Sequence, residues 1–239
     1  MHYDTLLLDA DETLMDFPAA ERQALQRTFM QHDMHFTDQT DAAYQQINQQ
    51  LWRQFERGEI TRPQLLATRF AALFAQLRVS GIDTDAFNRE YLFNLGYGTQ
   101  LMPHALPVCQ TLYHRGYRLY ILTNGVSSPQ RRRIGGSGLQ PYLSGIFVSE
   151  ESGYQKPLRE FYDYVFAQIP NFHPETALMV GDSLSSDMEG ARRAGVDACW
   201  LNQKGQFAPQ DLLFPAGPIR YEIHSLPELL EILPPCNRK

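Results

Sequence analysis

The 239-residue sequence predicts an α/β fold, a doubly wound parallel sheet interrupted by an inserted helical domain, and three observations carry that prediction. Short apolar runs at Leu6–Leu8, Leu119–Leu122, Leu178–Val180, Ala198–Leu201 and Ile219–Ile223 recur between helical stretches, the alternation of a parallel sheet wound on both faces. The first four are apolar at nearly every residue, as strands buried on both faces are. Residues 16–98 contain no such run and carry helical spacing instead, so the chain divides into a core of 1–15 and 99–239 and a helical insertion of 16–98.

Each element has a local reason. Asp16 or Phe17 with Pro18 opens a helix that runs to His32. Ala43, Ile47, Leu51, Trp52 and Phe55 recur on one helical face until Gly58. Thr61 and Pro63 introduce Leu65, Leu66, Phe70, Leu73, Phe74 and Leu77, and Asp83 or Thr84 introduces Phe87, Tyr91, Leu92 and Leu95. Beyond the insertion a helix of residues 104–115 stops at Gly116. Pro157 presets the helix carrying Phe161, Tyr164 and Val165, and the last helix starts near Ser225 with Pro227 in its first turn. The tail from Pro234 is expected to fray.

Charge gathers where the strands stop. Asp9 and Asp11 follow the first run, and Thr123, Asn124 and Gly125 follow the second. Lys156 precedes Pro157 at a loop-helix junction, and Asp182 and Asp187 follow Gly181. In open α/β sheets the crevice beyond the carboxyl ends of the strands binds ligands. Two carboxylates placed there, Asp9 and Asp11, call for a cation or a proton. Each segment alone also reads as a turn or a helix cap; Thr13 either holds Asp11 or caps the turn that follows.

Together and in this order the four segments resemble the four motifs of the haloacid dehalogenase (HAD) superfamily, over nearly the whole chain. The resemblance implies a Rossmann-like HAD core with a mobile C1-type helical cap that excludes water and selects substrate. It implies an Mg²⁺-dependent phosphomonoesterase, with Mn²⁺ as an alternative ion. Asp9 would be the nucleophile and form an aspartyl-phosphate. Asp11 would be the acid/base, a residue that halide-displacing members lack. Thr123, Asn124 and Lys156 would hold the phosphate, the metal falling to Asp9, Asp11 through its carbonyl, Asp182 and Asp187. Within the superfamily, Asp9–Leu14, Gly58–Thr61, Thr123–Gly125, Ser149–Gly153 with Lys156, Met179–Asp187 and Cys199–Asn202 resemble the noncanonical pyrimidine 5'-nucleotidase subgroup. That implies hydrolysis of dUMP, UMP and dTMP, against the alternative of a general phosphatase of phosphoglycolate or sugar phosphates. Gly135 and Gly136 stand where that subgroup is expected to carry a charged helical residue.

Composition narrows the classes further. A net charge of −6 and 43% hydrophobic residues describe a globular chain without the basic face of a nucleic-acid binder. Cys109, Cys199 and Cys236 form neither a metal pattern nor a disulfide framework, and no apolar run is long enough to span a membrane. A cytoplasmic enzyme acting on a small phosphate ester, with no nucleic-acid or membrane partner, is expected. The sequence leaves the oligomeric state open. A receiver-type phospho-accepting domain gathers similar residues but is about half as long, places its aspartate on the third strand and lacks the insertion; a silent binding protein would not need every catalytic position filled. Arg131–Arg133 read as a solvated helical face, Gly135, Gly136 and Gly138 as a helix end, Trp52 as packing, and Glu150 and Glu151 as solvated loop carboxylates.

Overall fold

The structure is a computed structural model and describes residues 3–214 and 216–236. It separates into two compact units, one built from the segment ending at Phe17 and the segment starting at Thr99, the other from Pro18–Gly98. Asp16 and Phe17 therefore lie with the α/β unit.

The α/β unit holds, among the described residues, six parallel strands: β1 (Thr5–Leu8), β2 (Arg118–Thr123), β3 (Gly145–Val148), β4 (Ala177–Gly181), β5 (Asp197–Leu201) and β6 (Ile219–Ile223). Their order is β3-β2-β1-β4-β5-β6. The order reverses direction at β1, so the crevice beyond β1 and its neighbours β2 and β4 is the topological switch point. Side chains alternate between two cores. Leu6, Leu8, Leu119, Ile121, Leu178, Val180, Cys199 and Leu201 pack on one face with Val108, Cys109 and Leu112 of α5 (Ala105–His114). Leu7, Tyr120, Leu122, Met179 and Trp200 pack on the other with Phe161, Tyr162 and Val165 of α8 (Arg159–Phe166). The period of two thus survives in strands whose every position is apolar, because both faces are covered.

The helical unit contains α1 (Phe17–Gln31, whose first residue belongs to the α/β unit), α2 (Asp38–Glu56), α3 (Arg62–Leu77) and α4 (Thr84–Leu95). The expected starts are visible as caps: Thr61 and Gln64 form a reciprocal capping box, and Asp83 accepts from the backbone of Asp85 and Ala86. Phe29, Phe70, Phe74 and Phe87 form its aromatic core, with Phe70 and Phe87 edge to face at 4.8 Å. Trp52 packs edge-on against Phe55 at 5.6 Å, as packing residues do.

The structure corrects several expectations. β3 has no counterpart among the predicted strands: it is a four-residue edge strand, half-buried at its first three positions, too short and too glycine-led to show a pattern. Pro157 does not start α8, which begins at Arg159, and Ser149–Ser152 form a helical turn, α7, between β3 and that helix. The tail is tied down as far as it is described: Cys236 N–H donates to Arg115 O at 2.7 Å and the Tyr117 hydroxyl to Pro234 O at 2.7 Å. The predicted last helix begins as a tight turn, Leu226–Glu228, before α10 (Leu229–Ile232). No helix among the described residues is long and apolar enough to cross a membrane.

Candidate active site

The site forms because three adjacent strands stop together. Leu8, the last residue of β1, pairs with Ile121 and Val180, and β2 and β4 continue only to Thr123 and Gly181. The polar residues that follow therefore emerge side by side.

At their centre is Lys156, only 1% exposed. Its Nζ donates to Asp9 Oδ1 at 2.5 Å, to Asp187 Oδ1 at 2.7 Å and to Leu122 O at 2.8 Å, which uses all three ammonium protons. Asn124 fixes the backbone behind it: its Oδ1 accepts from Lys156 N–H at 2.8 Å and its Nδ2 donates to Lys156 O at 2.9 Å. The side chain of Asn124 thus serves the lysine, whereas the group expected at the phosphate is its peptide N–H. Asp187, fully buried, gives its second oxygen to Ser183 N–H at 3.1 Å. Gly181 makes room for it, since a Cβ there would lie 2.2 Å from Asp187 Oδ2. The single π-helical turn Leu184–Met188, capped by the Ser183 hydroxyl, presents Asp187. Trp200 Nε1 holds the Asp182 carbonyl at 2.9 Å.

Asp9, Asp182 and Asp187 each offer a carboxylate oxygen, all within 4.8 Å of one another. Burial pushes the Asp9 carboxyl up to about 7, against the pull of Lys156. Burial, with Asp9, Asp187 and Glu12 nearby, pushes Asp182 up to about 8. Burial opposes the charge on Lys156, but Asp187 and Asp9 outweigh it and hold the ammonium above its ordinary value. Three carboxylates facing one ammonium leave two negative charges uncompensated when all are ionised. An all-oxygen set with that deficit fits a hard divalent cation such as Mg²⁺.

Asp11 sits apart from the triad. Its Oδ1 accepts from Arg133 Nη1 at 2.6 Å and its Oδ2 from Gln130 Nε2 at 2.5 Å. Both come from α6 (Ser127–Gly136), and the same Gln130 nitrogen donates to Thr123 Oγ1 at 2.8 Å. Thr123 Oγ1 also accepts from Gly125 N–H at 3.1 Å, so its own proton is left to donate. Thr13 neither holds Asp11 nor caps a turn: its hydroxyl is buried without a hydrogen-bond partner among the described residues.

Sequence reasoning missed Gln130 and Arg133. A run of three arginines reads as one solvated face, but successive residues on a helix point about 100° apart. Arg131 turns outward to Glu151 at 2.6 Å, whereas Arg133 is 1% exposed. The i,i+3 spacing of Gln130 and Arg133 was the available signal. Glu150 and Glu151 are also more than solvated carboxylates, since both accept hydrogen bonds from Ser127 at the start of α6.

A switch-point crevice that gathers aspartates, a threonine hydroxyl and a buried lysine from four segments defines a class of hydrolases. Residues 3–195 match the family of haloacid dehalogenase-like hydrolases, and the chain belongs to that family. It is 42% identical to YfnB of Bacillus subtilis, described as a HAD-hydrolase, over 97% of this chain and 95% of that protein. It is 35% identical to the pyrimidine 5'-nucleotidase PynA of Streptococcus pneumoniae, over 98% of this chain and 96% of the relative. It is 31% identical to the pyrimidine 5'-nucleotidase YjjG of Escherichia coli, over 96% and 99%. The fold superimposes on the crystal structure of YfnB bound to magnesium, in which interdomain movement is described, with a TM-score of 0.89 over 98% of this chain and 99% of that one.

Proposed function

We propose that this chain is an Mg²⁺-dependent phosphomonoesterase of pyrimidine nucleoside 5'-monophosphates that works through an aspartyl-phosphate on Asp9. The carrying observation is the buried Lys156 ammonium, held between Asp9 and Asp187 at the end of β1 with Asp182 alongside. Asp9, Asp182 and Asp187 would hold the ion, with the backbone carbonyl of Asp11 as the expected further ligand. Once bound, the ion supplies the charge neutralisation that lets a carboxylate approach a phosphate.

The residues divide the remaining work. Lys156 fixes Asp9 through Oδ1 and leaves Oδ2 to attack phosphorus. The proton of Thr123 is available to a phosphoryl oxygen, and Lys156 keeps the approach cationic. Asp11 protonates the departing alkoxide and then takes the proton of the water that hydrolyses the acyl phosphate, a role worth about 10²- to 10⁴-fold. The helical unit is read as the cap that selects the leaving group. The similarity to two relatives named pyrimidine 5'-nucleotidases over nearly full length supports the substrate class. A cytoplasmic setting fits thiols such as Cys109, which burial pushes up to about 12 and keeps inert.

The test is phosphate release with Mg²⁺ from dUMP, UMP and dTMP against AMP, phosphoglycolate and sugar phosphates, with Asp9→Asn as the blank. A preference for the pyrimidine nucleotides is expected. Equal or faster turnover of glycolate or sugar phosphates would keep the chemistry and overturn the substrate.

A further inference from the structure

The carboxylate of Asp11 is held in a closed ring. Arg133 Nη1 donates to Asp11 Oδ1 at 2.6 Å and to Gln130 Oε1 at 2.9 Å, while Gln130 Nε2 reaches Asp11 Oδ2 at 2.5 Å. The same amide nitrogen extends the ring to the Thr123 hydroxyl. Both clamp residues are at most 2% exposed, whereas the Asp11 side chain is 27% exposed, so the clamp stands behind the carboxylate and leaves part of it open. The guanidinium also lies over the ring of Phe17, 5.5 Å from its centroid, at the residue where the chain leaves the α/β unit. Gly125 preserves the space the amide needs: a Cβ at that position would fall 2.4 Å from Gln130 Nε2.

A buried guanidinium is costly unless it is paired and hydrogen-bonded. Here the pairing is directed at Asp11, a site carboxylate outside the buried triad, and through a single glutamine at the Thr123 hydroxyl. We propose that Gln130 and Arg133 are positioning residues that set where the Asp11 carboxyl stands relative to the leaving oxygen. They tie the acid/base to Thr123 as one unit carried by α6. A misplacement of about 1 Å can cost on the order of 10²-fold in rate. The inference rests on Asp11 being the acid/base.

That role predicts a signature that packing alone does not. A nucleoside or sugar alkoxide must be protonated as it leaves, whereas p-nitrophenolate departs without a proton. kcat/KM reports the steps through the first irreversible one, here departure of the leaving group. It is to be measured on p-nitrophenyl phosphate and on the alkyl phosphate hydrolysed best by the wild type, for Asp11→Asn, Arg133→Met, Arg133→Lys, Gln130→Met and the double variant Asp11→Asn/Arg133→Met. Arg133→Met is expected to lower the alkyl value by about 10- to 100-fold and the p-nitrophenyl value by less than about 3-fold. Gln130→Met should move in the same direction, and the double variant should lose no more than Asp11→Asn alone. Activity on the aryl ester serves as the check of folding; where the methionine variant fails it, Arg133→Lys keeps a buried cation and carries the same comparison. If Asp11→Asn is selective for the alkyl ester while the Arg133 and Gln130 variants keep the wild-type ratio, the positioning role is overturned. If Asp11→Asn itself loses both substrates equally, it is the acid/base reading that fails.

Discussion

The two units of the molecule both bury charge, and they balance it differently. Within the helical unit, Glu21 accepts from the amide of Asn48 at 2.8 Å, Arg69 donates to Asn88 Oδ1 at 2.8 Å from Nε, and Asp41 is paired with Arg22. Each of these groups is met by a side chain of a neighbouring helix, two of them by a neutral amide. At the strand ends of the α/β unit, three carboxylates face one ammonium. The first arrangement joins helix to helix through fixed pairs. The second is left with surplus negative charge, and burial holds the Asp9 and Asp182 carboxyls above the ordinary aspartate range.

The sharpest way to break this contrast is to remove one of the surplus charges. Asp9→Asn should bring phosphate release to the level measured without enzyme, because the attacking oxygen is gone. The same change relieves the imbalance, so the melting temperature in chelator should stay level or rise. A variant that still turns over would end the aspartyl-phosphate mechanism.

Removing the balancing charge should do the opposite to stability. Lys156→Met strands Asp9 and Asp187 in a dry site, a loss of about 3–5 kcal/mol, and lowers kcat by about 10²- to 10³-fold. Arg69→Met in the helical unit leaves one neutral amide oxygen unpaired, about 1–3 kcal/mol, with kcat unchanged. Denaturant melts and turnover of the two variants side by side separate a reacting charge from a structural one. Equal effects on kcat would erase the distinction.

Gly181→Ala probes the seat of Asp187 with a smaller effect. The added Cβ would meet Asp187 Oδ2 at 2.2 Å and its Cβ at 2.8 Å, so the carboxylate that anchors Lys156 must shift. Overpacking of this kind costs about 1–3 kcal/mol. An unfolding free energy within about 0.5 kcal/mol of wild type would mean that Asp187 has another place to sit.

What the sequence made legible follows the same division. Asp9, Asp182 and Asp187, which the resemblance groups, do meet, because strand ends in a parallel sheet converge by topology whatever the intervening loops do. The helical caps at Thr61 and Asp83 were readable because capping is local chemistry between residues two or three apart. Gln130 and Arg133 were hidden because their partner, Asp11, is more than a hundred positions away and their own segment looks like a charged surface. The job of Asn124 was equally hidden, since its clamp on Lys156 joins two loops that only the fold brings together.

The contrast predicts a pH dependence confined to one unit. In the folded chain Asp9 and Asp182 keep protons up to about 7 and about 8, whereas unfolded aspartates release theirs near 4. Between those values the folded state binds more protons than the unfolded one, so these groups make stability fall as pH rises, by up to about 1.4 kcal/mol per pH unit for each proton of difference. Asp4, Glu151 and Glu189, whose values are lowered, have given their full contribution before pH 5.5. Lys156 is raised and loses its contribution only above the ordinary lysine range, and Tyr44 and Tyr91 of the helical unit are raised far beyond neutrality. Melting temperature in chelator should therefore decline from pH 5.5 to 8.5. Mg²⁺ at the ionised carboxylates should offset the decline, so the stabilisation by Mg²⁺ grows with pH across that window. A stabilisation by Mg²⁺ that is the same at pH 6 and pH 8 would show that the carboxylates are already ionised without the ion, and that the charge imbalance at the strand ends is relieved by some other group.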